Sequence, residues 1–169
     1  RMASLDIILE IGNMTPDDKT KEGYASLKNT WYLDYINQMM PDEILPGSME
    51  FISELKNAGI KVGLGSASKN TPLILERLGI AKLFDAIADG NNVSNAKPDP
   101  EVFVTASKML GVLPENCVVF EDAVAGVEAA LNAGMVCVGI GSEKILTNAH
   151  LVVSGLDKMS LRKLRVLVK

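Results

Sequence analysis

Residues 117–140 read CVVFEDAVAGVEAALNAGMVCVGI, and this stretch decides the fold. An apolar run of strand length at 117–120 is followed by a helical pattern at 123–132 and a second apolar run at 135–140. Two strands flanking one helix in so short a space form a right-handed βαβ crossover. Such crossovers build parallel sheets covered on both faces. The same alternation continues outward in both directions. Upstream, the pattern predicts helices at 48–58, 71–78 and 100–110, a short buried strand at 60–65 and a weaker strand at 84–88. Downstream, a last short strand at 150–153 precedes a basic helix at 160–168. The fold class is α/β.

The first 44 residues have a different character. Residues 4–11 and 17–40 place apolar side chains at helical spacing, with Tyr24, Leu27, Trp31, Tyr35 and Met39 in one stripe. Thr15-Pro16-Asp17-Asp18 offers a cap residue, a proline at the first helical position and acids suited to the positive end of the helix dipole. Pro41, Pro46 and Gly47 exclude a continuous helix through 41–47, so a hinge is expected there. The division that follows is a helical segment at 1–44 and an α/β body at 45–169.

With 169 residues, 47% apolar and 22% charged, the chain has enough apolar side chains for a packed core and is not disordered in composition. Seventeen Lys+Arg against 21 Asp+Glu leave a net charge of −4, so no overall positive field exists to hold nucleic acid or an anionic membrane. Any phosphate must be held by a local site. No apolar run is long enough to cross a bilayer and no leader pattern opens the chain, which gives a cytoplasmic expectation. Cys117 and Cys137 sit in apolar runs and are too few for a disulfide framework or a zinc site; both are expected to be small, buried, free thiols. The sequence opens on Arg1 rather than on Met, and is expected to lack its own front end.

In open α/β sheets ligands bind beyond the carboxyl ends of the strands. Ser66-Ala67-Ser68-Lys69-Asn70 follows the strand at 60–65, and Asp89-Gly90 follows the strand at 84–88. Lys97-Pro98-Asp99-Pro100 lies in the next loop, and Glu121-Asp122 closes the strand at 117–120. Singly, each has an ordinary explanation: a capping loop, a solvated lysine, acids on a helix dipole. Jointly they ask for more. Two adjacent acids ending a buried strand are costly unless exposed, hydrogen-bonded or neutralised by a cation. Mg2+ is such a cation, taking one or two carboxylates and completing its shell with water and phosphate oxygens. A serine hydroxyl, amides at a helix start and a lysine suit those phosphate oxygens. The pattern points to Mg2+-assisted phosphoryl transfer.

The order of Ser66 after a strand, Lys97 in Asn95-Ala96-Lys97-Pro98-Asp99-Pro100, and Glu121-Asp122 in Val119-Phe120-Glu121-Asp122-Ala123-Val124-Ala125-Gly126 resembles the second, third and fourth motifs of the haloacid dehalogenase-like phosphotransferases. The longer string Gly65-Ser66-Ala67-Ser68-Lys69-Asn70 is similar to that of the β-phosphoglucomutase family within them. The resemblance implies a Rossmann-like core at 45–169, lacking its first strand, with a partial helical cap at 1–44. It also implies that Ser66, the Ala67 amide and Lys97 hold the transferring phosphoryl group, while Glu121 and Asp122 bind Mg2+. Ser68, Lys69 and Asn70, with Arg1 from the cap, would take the distal phosphate of the sugar, and Ser4 and Lys28 would meet the substrate. The implied substrates are β-glucose 1-phosphate and glucose 1,6-bisphosphate, converted toward glucose 6-phosphate by a monomeric enzyme. The family's nucleophile belongs to an Asp-x-Asp motif, and none occurs in these 169 residues. The chain as given is therefore expected to be inactive. A sugar-phosphate phosphatase on the same scaffold and a non-catalytic phosphate-binding fragment are the competing readings.

Overall fold

The computed structural model describes residues 2–168, apart from the side chains of Ala3 and Ser4. The chain separates into two compact units, Arg1–Met40 and Pro41–Lys169.

The first unit is a helix pair, α1 (Met2–Ile11) and α2 (Asp18–Gln38). Asp17, rather than Thr15, caps α2: its carboxylate accepts the Thr20 N–H at 2.8 Å. That bond holds the Asp17 carboxyl below its ordinary range. An acid outdoes a threonine here because it brings a full negative charge to the helix N-terminus. Lys21 pairs with Asp6 at 2.5 Å, and Leu5, Leu9 and Ala25 form the small core. The apolar stripe of α2 lies largely at the surface. Tyr24, Leu27, Trp31 and Tyr35 are exposed, and α2 buries only Ala25 and Ile36. The unit has one partner helix, α1, and it covers the Ala25 side.

The second unit alternates α3 (Ser48–Asn57), β1 (Gly63–Gly65), α4 (Thr71–Leu78), β2 (Ala86–Ala88), α5 (Glu101–Leu110), β3 (Val118–Glu121), α6 (Val124–Asn132), β4 (Val136–Ile140), β5 (Leu151–Val153) and α7 (Leu161–Leu167). Every strand pairing is parallel. Gly63 faces Ala86 in the first pair; Val118 faces Val136 and Val138 faces Leu151 in the second group. Two cores cover the strands. One is built from Val102, Phe103 and Ala106 of α5 with Val127, Ala129 and Ala130 of α6; the other from Phe51 and Leu55 of α3 with Leu164 of α7. Phe51 meets Phe120 edge to face, centroids 5.4 Å apart.

The sheet is divided, β1–β2 on one side and β3–β4–β5 on the other, and among the described residues no ladder joins β1 to β3. The strand expected at 60–65 is therefore shorter, and it is partly exposed rather than buried, because its inner edge faces a cleft instead of a neighbour. Cys117 lies on the same cleft and is only half-buried, whereas Cys137 is fully buried; both are free. Among the described residues no helix is long and apolar enough to cross a membrane.

Candidate active site

Chemistry-bearing residues gather at the carboxyl ends of β1, β2 and β3. Beyond Gly65 the Ser66 N–H donates to Ala88 O at 2.9 Å, extending the β1–β2 ladder by one residue. Its hydroxyl accepts the Ser68 N–H at 3.2 Å and lies 2.9 Å from Thr71 Oγ1, which is 2.8 Å from Ser68 O. Ser68 Oγ accepts the Asn70 N–H at 3.1 Å. Gly90 N–H and Asn91 Nδ2 donate to Ser68 O and Lys69 O, both at 3.2 Å, tying the loop to the turn after β2. Hydroxyl and amide thus wind 66–71 into a tight coil, with Ala67 and Lys69 exposed and Ser68 and Asn70 half-buried. In that turn Asp89, buried, accepts the Asn91 N–H at 2.8 Å, a local structural role.

Lys97 stands on the loop between β2 and α5. Glu101 of α5 anchors that loop by accepting the Ser94 and Asn95 N–H groups at 3.0 and 2.6 Å, and Asn132 of α6 donates to Pro98 O at 3.1 Å. The Lys97–Pro98 peptide is cis. So held, the ammonium donates to Gly65 O at 3.4 Å, pairs with Glu121 and lies 4.7 Å from the Phe103 ring centroid. One cation bridges the ends of β1 and β3.

The second oxygen of Glu121 accepts the Asp122 and Ala123 N–H groups at 3.0 and 3.2 Å, so the carboxylate sits on the first turn of α6. Gly126 makes this possible, since a Cβ there would overlap the Glu121 carboxyl group. Glu121 is 8% exposed and both its oxygens are engaged, while Asp122 beside it is exposed. The two acids therefore do different things: Glu121 holds Lys97 and ties down the turn that enters α6, and Asp122 presents the open carboxylate. Behind them, burial and then the Glu121 charge push the Cys137 thiol up to about 11.

Ser66, Ala67, Ser68, Lys69, Asn70, Lys97, Glu121 and Asp122 all lie at this strand edge. Lys28 is on α2 in the first unit, half-buried. Arg1 and the Ser4 side chain fall outside the described residues. Sequence reading missed Thr71, Phe103 and Gly126. A glycine inside the first turn of a helix was a legible signal, because glycine disfavours helices. Phe103 gave none: its place under Lys97 is a tertiary fact. Amides, a hydroxyl and an ammonium at one strand edge suit an oxyanion with several oxygens.

The sequence profile of the haloacid dehalogenase-like hydrolases matches residues 3–134. A β-phosphoglucomutase of Bacillus subtilis (strain 168) is 39% identical over 166 residues, 97% of this chain and 74% of that protein. A phosphorylated carbohydrates phosphatase of Thermotoga maritima is 40% identical over 92 residues, 53% of this chain and 43% of that protein. The crystal structure of a β-phosphoglucomutase from Clostridium difficile superposes with a TM-score of 0.90 at 39% identity, covering 99% of this chain and 76% of that one.

Proposed function

The chain belongs to the haloacid dehalogenase-like hydrolase family, in its β-phosphoglucomutase branch, and from that premise we propose that it serves the Mg2+-dependent interconversion of β-glucose 1-phosphate and glucose 6-phosphate. The observation that supports this most is the Lys97 ammonium fixed between Gly65 O and Glu121, next to the amide-rich loop at 66–70.

On this reading Lys97, the Ser66 hydroxyl and the Ala67 amide neutralise and orient the phosphoryl group during transfer. Positioning and electrostatics carry such a reaction, because an anionic nucleophile must approach an anionic phosphate. Ser68, Lys69 and Asn70 hold the phosphate that is not being transferred. A bisphosphorylated sugar turning within the site then receives phosphate at one hydroxyl and yields it from the other. The nucleophile is an aspartate, phosphorylated in passing; none of the 169 residues supplies it in an Asp-x-Asp motif, so these residues alone bind without turnover.

The donors present fit a hard cation. Among the described residues no three His, Cys, Asp or Glu side chains gather into a metal cluster, but Mg2+ seldom needs one, taking one or two carboxylates and otherwise water and phosphate. Asp122 is the exposed carboxylate that would hold it, with Glu121 adjacent and committed to Lys97. Bound there, Mg2+ would offset the negative charge gathered on the phosphoryl oxygens. Asp122→Asn should weaken Mg2+ binding by about tenfold or more in a calorimetric titration. An unchanged affinity would remove Asp122 from this role.

A phosphatase is the second reading, favoured by the 40% identity to the Thermotoga phosphatase over the part of the chain that it matches. The product of the complete reading frame decides between them when given β-glucose 1-phosphate, a trace of glucose 1,6-bisphosphate and Mg2+. Glucose 6-phosphate should form. Inorganic phosphate without glucose 6-phosphate establishes the phosphatase instead.

A further inference from the structure

The backbone amides of the loop at 66–70 fall into two sets. The Ser68 and Asn70 N–H groups are consumed locally, by Ser66 Oγ at 3.2 Å and by Ser68 Oγ at 3.1 Å. The Ala67 and Lys69 N–H groups find no acceptor among the described residues. An unspent amide serves an anion well only if its direction is already fixed, since ordering a mobile peptide plane on binding costs affinity. A trans peptide points its C=O and the following N–H in opposite directions, and the one cis bond among the described residues is Lys97–Pro98. The group that holds Ser68 O therefore aims the Lys69 N–H, and the group that holds Lys69 O aims the Asn70 N–H at Ser68 Oγ.

Both holders come from the turn after β2. Gly90 N–H donates to Ser68 O and Asn91 Nδ2 to Lys69 O, each at 3.2 Å. The turn is itself tied down. Buried Asp89 accepts the Asn91 N–H at 2.8 Å, its own N–H donates to Asn92 Oδ1 at 2.8 Å, and its carbonyl accepts the Asn92 and Val93 N–H groups at 3.0 and 3.1 Å. Gly90 lets turn and loop meet. A Cβ at 90 would lie 2.6 Å from Ala67 O and 2.9 Å from Lys69 N, both backbone atoms, although the Gly90 backbone is not among those in the left-handed region. Glycine stands here for the close approach and not for its conformation.

We propose that Asn91 is a positioning residue: by holding Lys69 O it fixes the peptide planes from which Lys69 and Asn70 meet the phosphate that is not being transferred, and so sets the affinity for a sugar phosphate and not the rate of transfer. The inference rests on the reading of 68–70 as the loop for that phosphate. The Asn91 amide nitrogen is engaged by a carbonyl, so it acts through the loop. Asparagine suits the place because it donates there, whereas an aspartate would set one acceptor against another. The transferring end is anchored by other groups, Ser66 N–H on Ala88 O and Lys97 on Gly65 O and Glu121. None of these bonds passes through Asn91, and its loss leaves them in place.

Asn91→Ala tests this in two settings. In the chain of 169 residues, amide hydrogen exchange at Asn70 should speed about fivefold, the worth of one ordinary hydrogen bond, while exchange at Val138 of β4 and the melting temperature stay unchanged because Asn91 is exposed. In the product of the complete reading frame, KM for β-glucose 1-phosphate should rise about fivefold with kcat held within about twofold. Gly90→Ala, which presses on Ala67 O as well as on Lys69 N, should raise KM and lower kcat together. Unchanged exchange at Asn70 overturns the proposal. A kcat that falls with the melting temperature at constant KM overturns it too, since that marks a residue of stability alone. Glucose 6-phosphate formed by Asn91→Ala with an unchanged KM overturns the inference and leaves the mutase reading standing. Absence of glucose 6-phosphate from the unaltered protein overturns that reading instead, and the hold of Asn91 on the loop then stands or falls on the exchange at Asn70.

Discussion

Glu121 and Gly126 form one device, and its energetics can be tested one side chain at a time. Alanine replacing glycine inside a helix ordinarily stabilises by about 1 kcal/mol. At Gly126 the sign should reverse, because the added Cβ occupies the place of the Glu121 carboxyl group. Expelling that carboxylate breaks its pairing with Lys97 and frees the Asp122 and Ala123 N–H groups ahead of α6. Gly126→Ala should therefore cost about 2–4 kcal/mol in urea denaturation followed by circular dichroism. A neutral or stabilising result would mean that Glu121 does not rest on the helix. Trp31 fluorescence is the wrong probe, since that residue belongs to the first unit. The ion pair itself calls for a cycle. With Lys97 at 19% and Glu121 at 8% side-chain exposure, Lys97→Met strands a largely buried carboxylate and should cost about 2 kcal/mol. Glu121→Gln in the same chain should recover about 1 kcal/mol or more of coupling. Additive losses would show that the two groups do not depend on each other. Much of this site was legible in the sequence, since Ser66, Lys97 and the acid pair stand where strands end. The division of labour between Glu121 and Asp122 was not, because it depends on which carboxylate the backbone amides and Lys97 reach.

At the scale of elements, periodicity located every α-helix and strand among the described residues, and what it misjudged were extents; the four short 3-10 turns it did not find. The helix at 71–78 begins and ends where Asn70 and Gly79 predict, and β4 differs from its expected span by one residue. β1 is the exception: three residues pair where six were expected, since a strand is only as long as its ladder and this one has a partner on one side. Its entry is fixed by Asp85, whose carboxylate accepts the Val62 N–H at 2.8 Å and pairs with Lys56 at the end of α3, also at 2.8 Å. The Lys56 bond and then the Val62 bond hold the Asp85 carboxyl below its ordinary value of 3.8. A carboxyl depressed in the folded state stabilises only while ionised. Its contribution is present above the unfolded value and is lost as pH falls through the lower, folded one. Asp85→Asn should accordingly flatten the fall in stability below about pH 4 and leave the slope at neutral pH unchanged, with a smaller difference in high salt because the group is exposed. Parallel acid limbs for the two proteins would remove Asp85 from the β1–β2 junction.

The whole molecule divides its stability unequally. Pro41–Lys169 holds two cores and ten elements of regular structure, whereas Arg1–Met40 is a helix pair whose core is Leu5, Leu9 and Ala25. Composition could not reveal this imbalance, because the apolar residues of α2 count equally whether buried or not, and Trp31 and Tyr35 are 57% and 73% exposed. Three small buried side chains, at about 1.5–3 kcal/mol for each leucine, cannot offset the ordering of some forty residues at 1–2 kcal/mol each. Helix pairs of this size are marginal by themselves, and the openings that expose α1 and α2 should cost far less than those that expose β3 and β4. Native-state hydrogen exchange reads this directly. Amides in the middle of α2 should exchange at least about 100-fold faster than those of Val138 and Gly139 in β4, and low concentrations of urea should release the first set before the second. Equal protection across both units, lost together at one urea concentration, would show that the helix pair draws its stability from the rest of the chain and that the molecule unfolds as a single cooperative body.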